Sequence, residues 1–247
     1  PATVLLIGDS HAEVFPPAFD EILREKKLCA IYIRNYTKNL TGVDYLRGTQ
    51  IGVKGQDTET LMRWIAAQPH IKTVILAARW AVLTKLTGYS IHEGGRASLR
   101  VQGGDLPTLD LFELGLTRTC KLLHAAGKDV ILLTSLPELK YHLPIFKQRA
   151  LIFETDIEIG MTKKDYIDRQ QEALAVLEKI EKAGYAKTIP VHNEFLEGEK
   201  FVYESEGGVL YYFDDDHLSR EGARKALRPV MDYLLKKEGA ADKKADD

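Results

Sequence analysis

Thr3-Val4-Leu5-Leu6-Ile7-Gly8-Asp9-Ser10, near the start of the chain, is the stretch that decides the fold. Its first part is a short, uninterrupted apolar run, which is typical of a β-strand buried on both faces. Gly8 then permits a tight turn, and Asp9 and Ser10 bring polar groups to the end of the strand. This pattern predicts the first strand-to-helix unit of a parallel sheet.

The same alternation of apolar and amphipathic segments continues along the chain. It predicts strands over 28–36, 73–78, 129–135 and 186–191, and helices over 11–24, 58–67, 109–126 and 164–183. Strands and helices that alternate in this way form βαβ units. The sequence therefore predicts a central parallel sheet with helices on both faces, which is a three-layer α/β/α sandwich.

The remaining segments have other patterns. Segments 84–108 and 136–162 are interrupted by glycine, proline and polar residues, and we interpret them as long loops above the sheet. Segment 201–213 alternates apolar and polar residues around a Gly-Gly pair, which predicts a small β-hairpin. A last helix is expected from a cap at Ser219 to about Lys237.

Length and composition exclude several classes of protein. The chain has 247 residues, and because one core can serve about 250 residues we expect a single domain over 1–237 with a disordered, charged tail over 238–247. Its 34 Lys and Arg nearly balance 36 Asp and Glu, whereas nucleic-acid-binding domains are usually strongly basic. No segment has the length and apolarity of a membrane-spanning helix. Since the chain opens with Pro1 rather than Met, we interpret it as part of a longer protein.

Ser10 follows the first predicted strand, and active sites of parallel α/β sheets lie beyond the C-terminal strand ends. Unpaired backbone N–H groups at the start of the next helix would stabilise an oxyanion beside its hydroxyl. The alternative is that Ser10 only caps that helix. The tripeptide Gly8-Asp9-Ser10 alone leaves both interpretations open.

A second polar group, Asp214-Asp215-Asp216-His217-Leu218-Ser219, precedes the last predicted helix. Asp214 and His217 are three residues apart, so in one tight turn the carboxylate can accept a hydrogen bond from the imidazole. That bond would leave the other ring nitrogen as a base for a serine hydroxyl, which does not ionise unaided. The alternatives are an acidic turn with a capping serine, or a divalent-cation site that includes Asp9 and His11.

Three stretches of this chain resemble motifs of the SGNH (GDSL-like) hydrolase superfamily: Gly8-Asp9-Ser10-His11-Ala12, Val74-Ile75-Leu76-Ala77-Ala78-Arg79-Trp80 and Asp214-Asp215-Asp216-His217-Leu218-Ser219. More specifically, they resemble the SGNH domains fused to bacterial acyltransferase-3 membrane proteins. The resemblance implies an SGNH-hydrolase (flavodoxin-like) fold without a metal or other cofactor, in a periplasmic domain of an inner-membrane protein. It also implies that an acyl group, delivered by the membrane module, is transferred to a cell-surface polysaccharide such as an O-antigen.

By this resemblance Ser10 is the nucleophile, His217 is the general base and Asp214 orients His217. The superfamily stabilises the oxyanion with the backbone N–H of the serine, with a glycine after the second strand and with the asparagine of a Gly-x-Asn-Asp block after the third. Here the sequence departs from the pattern, because Ala77-Ala78-Arg79-Trp80 occupies the place of that block.

Three residues are candidates for the missing contacts. Gly55 is preferred to Gly48 and Gly52 as the glycine donor. Arg79 has a planar N–H fork that suits an oxyanion or a carboxylate, and Trp80 has a face on which a sugar can stack. The alternatives are that Arg79 pairs with a surface acid and that Trp80 packs at the sheet edge.

Two other functions fit the same residues. An esterase or deacetylase would use the same triad with water as the acceptor. A catalytically silent polysaccharide-binding module would keep only the fold. The altered third block favours this alternative, whereas the complete set of Ser10, Asp214 and His217 weighs against it.

Overall fold

The computed structural model describes residues 2–26, 28–34, 39–47, 50–90, 97–101, 106–154 and 159–245. In chain order its elements are β1 (Val4–Gly8), α1 (Ser10–Glu13), α2 (Pro16–Glu25), β2 (Ala30–Arg34), β3 (Asp44–Arg47), β4 (Gln50–Val53), α3 (Gly55–Ala66), β5 (Thr73–Ala77), α4 (Trp80–Lys85), β6 (Ala97–Arg100), α5 (Thr108–Ala125), β7 (Asp129–Leu133), α6 (Leu143–Ile152), α7 (Lys163–Lys182), β8 (Lys187–Ile189), a 3₁₀ helix (Val191–Phe195), β9 (Leu196–Glu197), β10 (Lys200–Phe201), α8 (Arg220–Ala226) and α9 (Arg228–Ala245).

The central sheet has five parallel strands in the order β2-β1-β5-β7-β8. Every residue of β1 and β5 is buried, because both strands lie inside the sheet and helices cover both of its faces. Leu6 packs into one apolar cluster with α2, α8 and α9, whereas Leu5 and Ile7 pack into another with α3 and α5. This arrangement confirms the predicted α/β/α sandwich.

Proline explains two differences from the predicted helices. The helix expected over 11–24 is divided into α1 and α2, with Pro16 and Pro17 opening the second. Proline lacks a backbone N–H and clashes with the preceding turn, so it starts a helix but does not continue one. The last helix is likewise divided at Leu227, so that Pro229 is the second residue of α9, and α9 continues past Lys237 to Ala245.

The segments interpreted as loops contain regular structure as well. Segment 84–108 includes β6, which forms a three-stranded antiparallel sheet with β3 and β4, and segment 136–162 includes α6. Strands of four residues are too short to show a clear alternation, which is why this sheet was missed. The hairpin expected over 201–213 is reduced to an isolated bridge between Glu204 and Leu210.

Two findings bear on the other expectations. In the part of the chain that the structure describes, no helix is both long and apolar enough to cross a membrane. Parts of three predicted elements fall on residues 35–36, 91–96, 102–105 and 155–158, which lie outside the described residues.

Gly8 is the last residue of β1 and pairs with Ala77 of β5. A Cβ atom on Gly8 would lie 1.7 Å from the carbonyl oxygen of Ala77 and 2.7 Å from Cβ of Ala12. Because the obstacle is backbone inside the sheet, we expect Gly8→Ala to lower the free energy of unfolding by about 1–3 kcal/mol or more. Urea denaturation measures this change. The control is Gly207→Ala, whose Cβ would lie 3.7 Å from its nearest neighbour, and equal midpoints for the two variants would contradict the prediction.

Candidate active site

Asp9 joins the ends of β1 and β5, two neighbouring strands inside the sheet. Its Oδ1 accepts a hydrogen bond of 2.9 Å from the backbone N–H of His11, which caps α1, and its Oδ2 accepts one of 3.2 Å from the backbone N–H of Arg79, which follows β5. Ser10 is the first residue of α1. Since first-turn amides have no acceptor within their own helix, the Ser10 N–H is available to an oxyanion.

Asp214 and His217 lie in the tight turn before α8. Oδ1 of Asp214 accepts hydrogen bonds from the backbone N–H groups of Asp216, at 2.9 Å, and of His217, at 2.7 Å. Its Oδ2 lies 2.7 Å from Nδ1 of His217. A proton on Nδ1 leaves Nε2 of His217 as the basic nitrogen, which is the arrangement that the spacing predicts.

Ser10, His217 and Asp214 line the same cleft, which has a volume of about 490 Å³. Phe213 forms part of its wall, with 54% of its surface exposed and its ring stacked on the imidazole of His217 at 5.5 Å between centroids. The structure thus brings together the three residues of the predicted triad. It adds Phe213, an aromatic residue that the sequence patterns did not single out.

Asp216 is a contact of His217 that the sequence reasoning missed. Its Oδ1 lies 2.8 Å from Nδ1 of His217, while its Oδ2 lies 3.0 Å from Nε2 of His11 and 2.8 Å from Nη1 of Arg79. Only 5% of its surface is exposed. The run of three aspartates was the available signal, but spacing alone favoured Asp214, because adjacent residues rarely face the same group.

The two carboxylates determine the protonation of His217. Burial disfavours the imidazolium, but hydrogen bonds and charge from Asp214 and Asp216 outweigh burial and raise the pKa of His217 to about 10. Burial also opposes ionisation of both carboxylates. The hydrogen bonds that they accept nevertheless hold the pKa of Asp214, and more strongly that of Asp216, below the usual range.

Arg79 is buried behind the cleft rather than lining it. Its guanidinium contacts Asp216 and also Glu138, which accepts hydrogen bonds from Nε, at 2.7 Å, and from Nη2. The other oxygen of Glu138 accepts a hydrogen bond of 2.9 Å from Nε of Arg169. Arg79 therefore pairs with carboxylates, as one interpretation of the sequence expected, but these acids are buried and not on the surface.

The structure corrects the expectations for Trp80 and Gly55. Trp80 is fully buried, and its Nε1 donates a hydrogen bond of 2.7 Å to the carbonyl of Leu133, so no face is open to a sugar. The N–H of Gly55 donates a hydrogen bond of 2.8 Å to Asp44 and is not available to an oxyanion. Neither residue lines the cleft, and the competing Gly48 lies outside the described residues.

A metal site was the other interpretation of the acidic turn. The ligand atoms of His11, Asp216 and His217 do lie within 4.8 Å of one another. However, the guanidinium of Arg79 lies 2.8 Å from the same carboxylate, and its positive charge opposes a cation there. The residues fit a network of ion pairs better than a metal centre.

The sequence matches the family model described as "SGNH domain (fused to AT3 domains)" over residues 1–232. The chain belongs to this family. No curated protein sequence matches it.

Among solved structures, the periplasmic domain of a lipopolysaccharide acetyltransferase from Salmonella ser. Paratyphi A is similar to this SGNH domain, with a TM-score of 0.68 and 14% identity over 95% of this chain and 84% of that one. A putative acylhydrolase from Bacteroides fragilis has a TM-score of 0.50 and 14% identity over 95% of this chain and 86% of its own. These similarities show a shared fold, and the match to the family model confirms the resemblance seen in the motifs.

Glu138 compensates two buried guanidinium groups in this SGNH domain, so we expect Glu138→Gln to lower the free energy of unfolding by about 3–5 kcal/mol. Chemical denaturation measures the loss. Glu59→Gln is the matched control, because Glu59 pairs with an exposed Arg63 four residues away, an interaction worth about 0.3–0.5 kcal/mol. A loss below about 1 kcal/mol for Glu138→Gln would show that the buried pairs do not carry this stability.

Proposed function

We propose that this SGNH domain is a serine O-acyltransferase that places an acyl group, such as acetyl, on a hydroxyl of a bacterial cell-surface polysaccharide. The observation that carries the proposal is the presence of Ser10 and of the Asp214–His217 pair in one cleft. Membership of a family defined by fusion to AT3 domains supports transfer over hydrolysis, since such a fusion places the domain beside a second acyltransferase module.

In this proposal the reaction has two balanced steps. Oγ of Ser10 attacks the acyl carbonyl of the donor while Nε2 of His217 takes the hydroxyl proton. The donor's leaving group departs with that proton, which gives an acyl-serine. A sugar hydroxyl then loses its proton to His217 and attacks the acyl carbonyl, and Ser10 leaves with the proton. In the net reaction, the acyl group moves from the donor to the sugar hydroxyl, and the proton of that hydroxyl replaces the acyl group on the donor.

The oxyanion of each tetrahedral intermediate would be held by the backbone N–H of Ser10 in this proposal. Arg79 and Gly55 do not serve this purpose, because the guanidinium of Arg79 is bound to Asp216 and Glu138 and the N–H of Gly55 is bound to Asp44. Asp214 keeps the Nδ1 proton of His217 in place throughout, so that Nε2 alone exchanges protons with Ser10 and the sugar.

We place this chemistry outside the cytoplasm, in a domain tethered to an inner-membrane protein. The membrane module would supply the acyl group, and the polysaccharide would enter the cleft of the SGNH domain. The fusion to AT3 domains supports the first partner. The second partner is the polysaccharide, for which a lipopolysaccharide such as an O-antigen is supported by the similarity to the periplasmic domain of a Salmonella lipopolysaccharide acetyltransferase.

Substitution of the nucleophile tests the proposal. We expect the wild type to hydrolyse 4-nitrophenyl acetate and Ser10→Ala to lose about a thousand-fold or more in kcat/KM, because the substitution removes the oxygen that forms the acyl-enzyme. Ser205→Ala, outside the cleft, is the matched control. A serine-directed phosphonate should label Ser10 in the wild type, as mass spectrometry would show. Absence of this label together with glycan binding would favour a silent binding module.

Product analysis separates transfer from hydrolysis. With 4-nitrophenyl acetate as donor and an oligosaccharide as acceptor, we expect an O-acetylated sugar that requires Ser10. Free acetate as the only product with every acceptor tried would favour an esterase or deacetylase.

Phe213 is the aromatic residue of the cleft to which we assign sugar stacking. One face of its ring lies on His217 and more than half of its surface is exposed. We expect Phe213→Ala to raise the KM for a saccharide acceptor by about 2- to 10-fold, the worth of one aromatic contact, and Phe213→Tyr to retain the wild-type value. An equal loss in acceptor-free ester hydrolysis would show that Phe213 supports His217 rather than the sugar.

A further inference from the structure

We propose that Asp216 is a second positioning carboxylate for His217, and that the buried cluster of Arg79, Glu138 and Arg169 holds it in place. The inference rests on the proposed role of His217 as the general base. It adds to the expected triad a residue that contacts His217, His11 and Arg79 at once.

The geometry places two carboxylates on one nitrogen. Nδ1 of His217 lies 2.7 Å from Oδ2 of Asp214 and 2.8 Å from Oδ1 of Asp216. Nδ1 carries one proton, so it makes its hydrogen bond to Asp214, and Asp216 acts on the ring through its charge. A charge at this distance in a buried site favours the imidazolium form.

Asp216 is fixed from two other elements. On the α1 side, Nε2 of His11 lies 3.0 Å from its Oδ2, while Nδ1 of His11 is buried without a hydrogen-bond partner. Because the Asp216 carboxylate can only accept, Nε2 of His11 is the donor of this hydrogen bond. At the end of β5, Nη1 of Arg79 lies 2.8 Å from the same oxygen. The carboxylate has no room to turn away from His217.

Glu138 connects this arrangement to the body of the domain. It is fully buried between Arg79 and Arg169, and Arg169 also donates a hydrogen bond of 2.8 Å to the carbonyl of Thr87. The next residue, Leu139, donates its N–H to the carbonyl of Asp215 at 2.7 Å. The segment that carries Glu138 thus holds both the ion pairs and the backbone of the acidic turn.

Among the side chains joined by these ion pairs, negative charge exceeds positive charge until His217 is protonated, and the carboxylate of Asp215, within 4.8 Å of those of Asp214 and Asp216, adds to the negative charge. Asp214, Asp216 and Glu138 supply three negative charges, whereas Arg79 and Arg169 supply two positive ones. Proton transfer from Ser10 to His217 supplies the third. The cluster therefore stabilises the form of the base that exists once Ser10 has been deprotonated, and it reduces the share of free base before the reaction.

The other charged groups of the cleft occur in opposed pairs. Arg34 pairs with Glu13 at 2.9 Å, and Arg220 pairs with Glu21. Asp214 and Asp216 are therefore the carboxylates that act directly on His217, and Asp216 does so while it is also paired with Arg79. Since the base must be neutral to accept a proton, esterase activity should rise with pH through the range in which His217 titrates, toward about 10.

The test is an NMR titration of His217 in the wild type, Asp216→Asn and Asp215→Asn. Asp215 is the matched control because its carboxylate lies in the same turn, within 4.8 Å of those of Asp214 and Asp216, whereas the ion pairs of Nδ1 among the described residues are with Asp214 and Asp216. We expect Asp216→Asn to lower the titration midpoint by about one pH unit or more, and Asp215→Asn to change it far less. The alkaline limb of 4-nitrophenyl acetate turnover should move with the midpoint.

Equal midpoints for Asp216→Asn and Asp215→Asn would overturn the proposal, as would a wild-type midpoint near 6.5. If Asp216→Asn does not fold, Asp214→Asn decides, because Asp216 should then still keep the midpoint above 6.5. A fall to the ordinary value in that variant would overturn the proposal. Turnover that persists in Ser10→Ala would instead overturn the proposed function, and the titrations would still report the contact of Asp216.

Discussion

The geometry of the site depends on the ion pairs that the guanidinium of Arg79 forms with Asp216 and Glu138. This guanidinium lies buried between Asp216 and Glu138, at the point where β5 ends. A buried charge without partners is strongly destabilising, so Arg79 constrains both carboxylates as firmly as they constrain it. Through Asp216, Arg79 fixes the position of a carboxylate beside Nδ1 of His217. Through Glu138 it reaches Arg169 on α7 and hence the helical layer that covers the sheet.

This constraint gives a physical reason for the departure from the superfamily's third block. The resemblance implies an asparagine there that donates to the oxyanion, whereas this chain has a cation that points to carboxylates. In the reaction that we propose, Arg79 therefore acts on the side of the base, through Asp216, and not on the oxyanion. The backbone N–H of Ser10 remains for the oxyanion, and the network around His217 favours the protonated base that forms in the same step.

Much of the fold could be predicted because its signals are local. The buried run of β1 and the alternation of strands and helices lie in consecutive residues, and the physical requirement to bury apolar side chains leaves few other solutions. The breaks before Pro16 and Pro229 were also present in the sequence, but amphipathic spacing across them suggested continuous helices. The small antiparallel sheet has strands of four residues, too short for a periodic signal.

The sequence by itself determined the strand that ends at Ser10 and the pairing of Asp214 with His217, because each depends on neighbours within one turn. Only the tertiary structure decided the roles of Arg79, Asp216, Trp80 and Gly55. His11 lies 205 residues from Asp216, and Glu138 lies 59 residues from Arg79. The indole of Trp80 is buried, and the N–H of Gly55 is bound, because segments that are separate in sequence pack together. Sequence spacing carries no record of such contacts, since they form only when the layers of the sandwich close around the sheet.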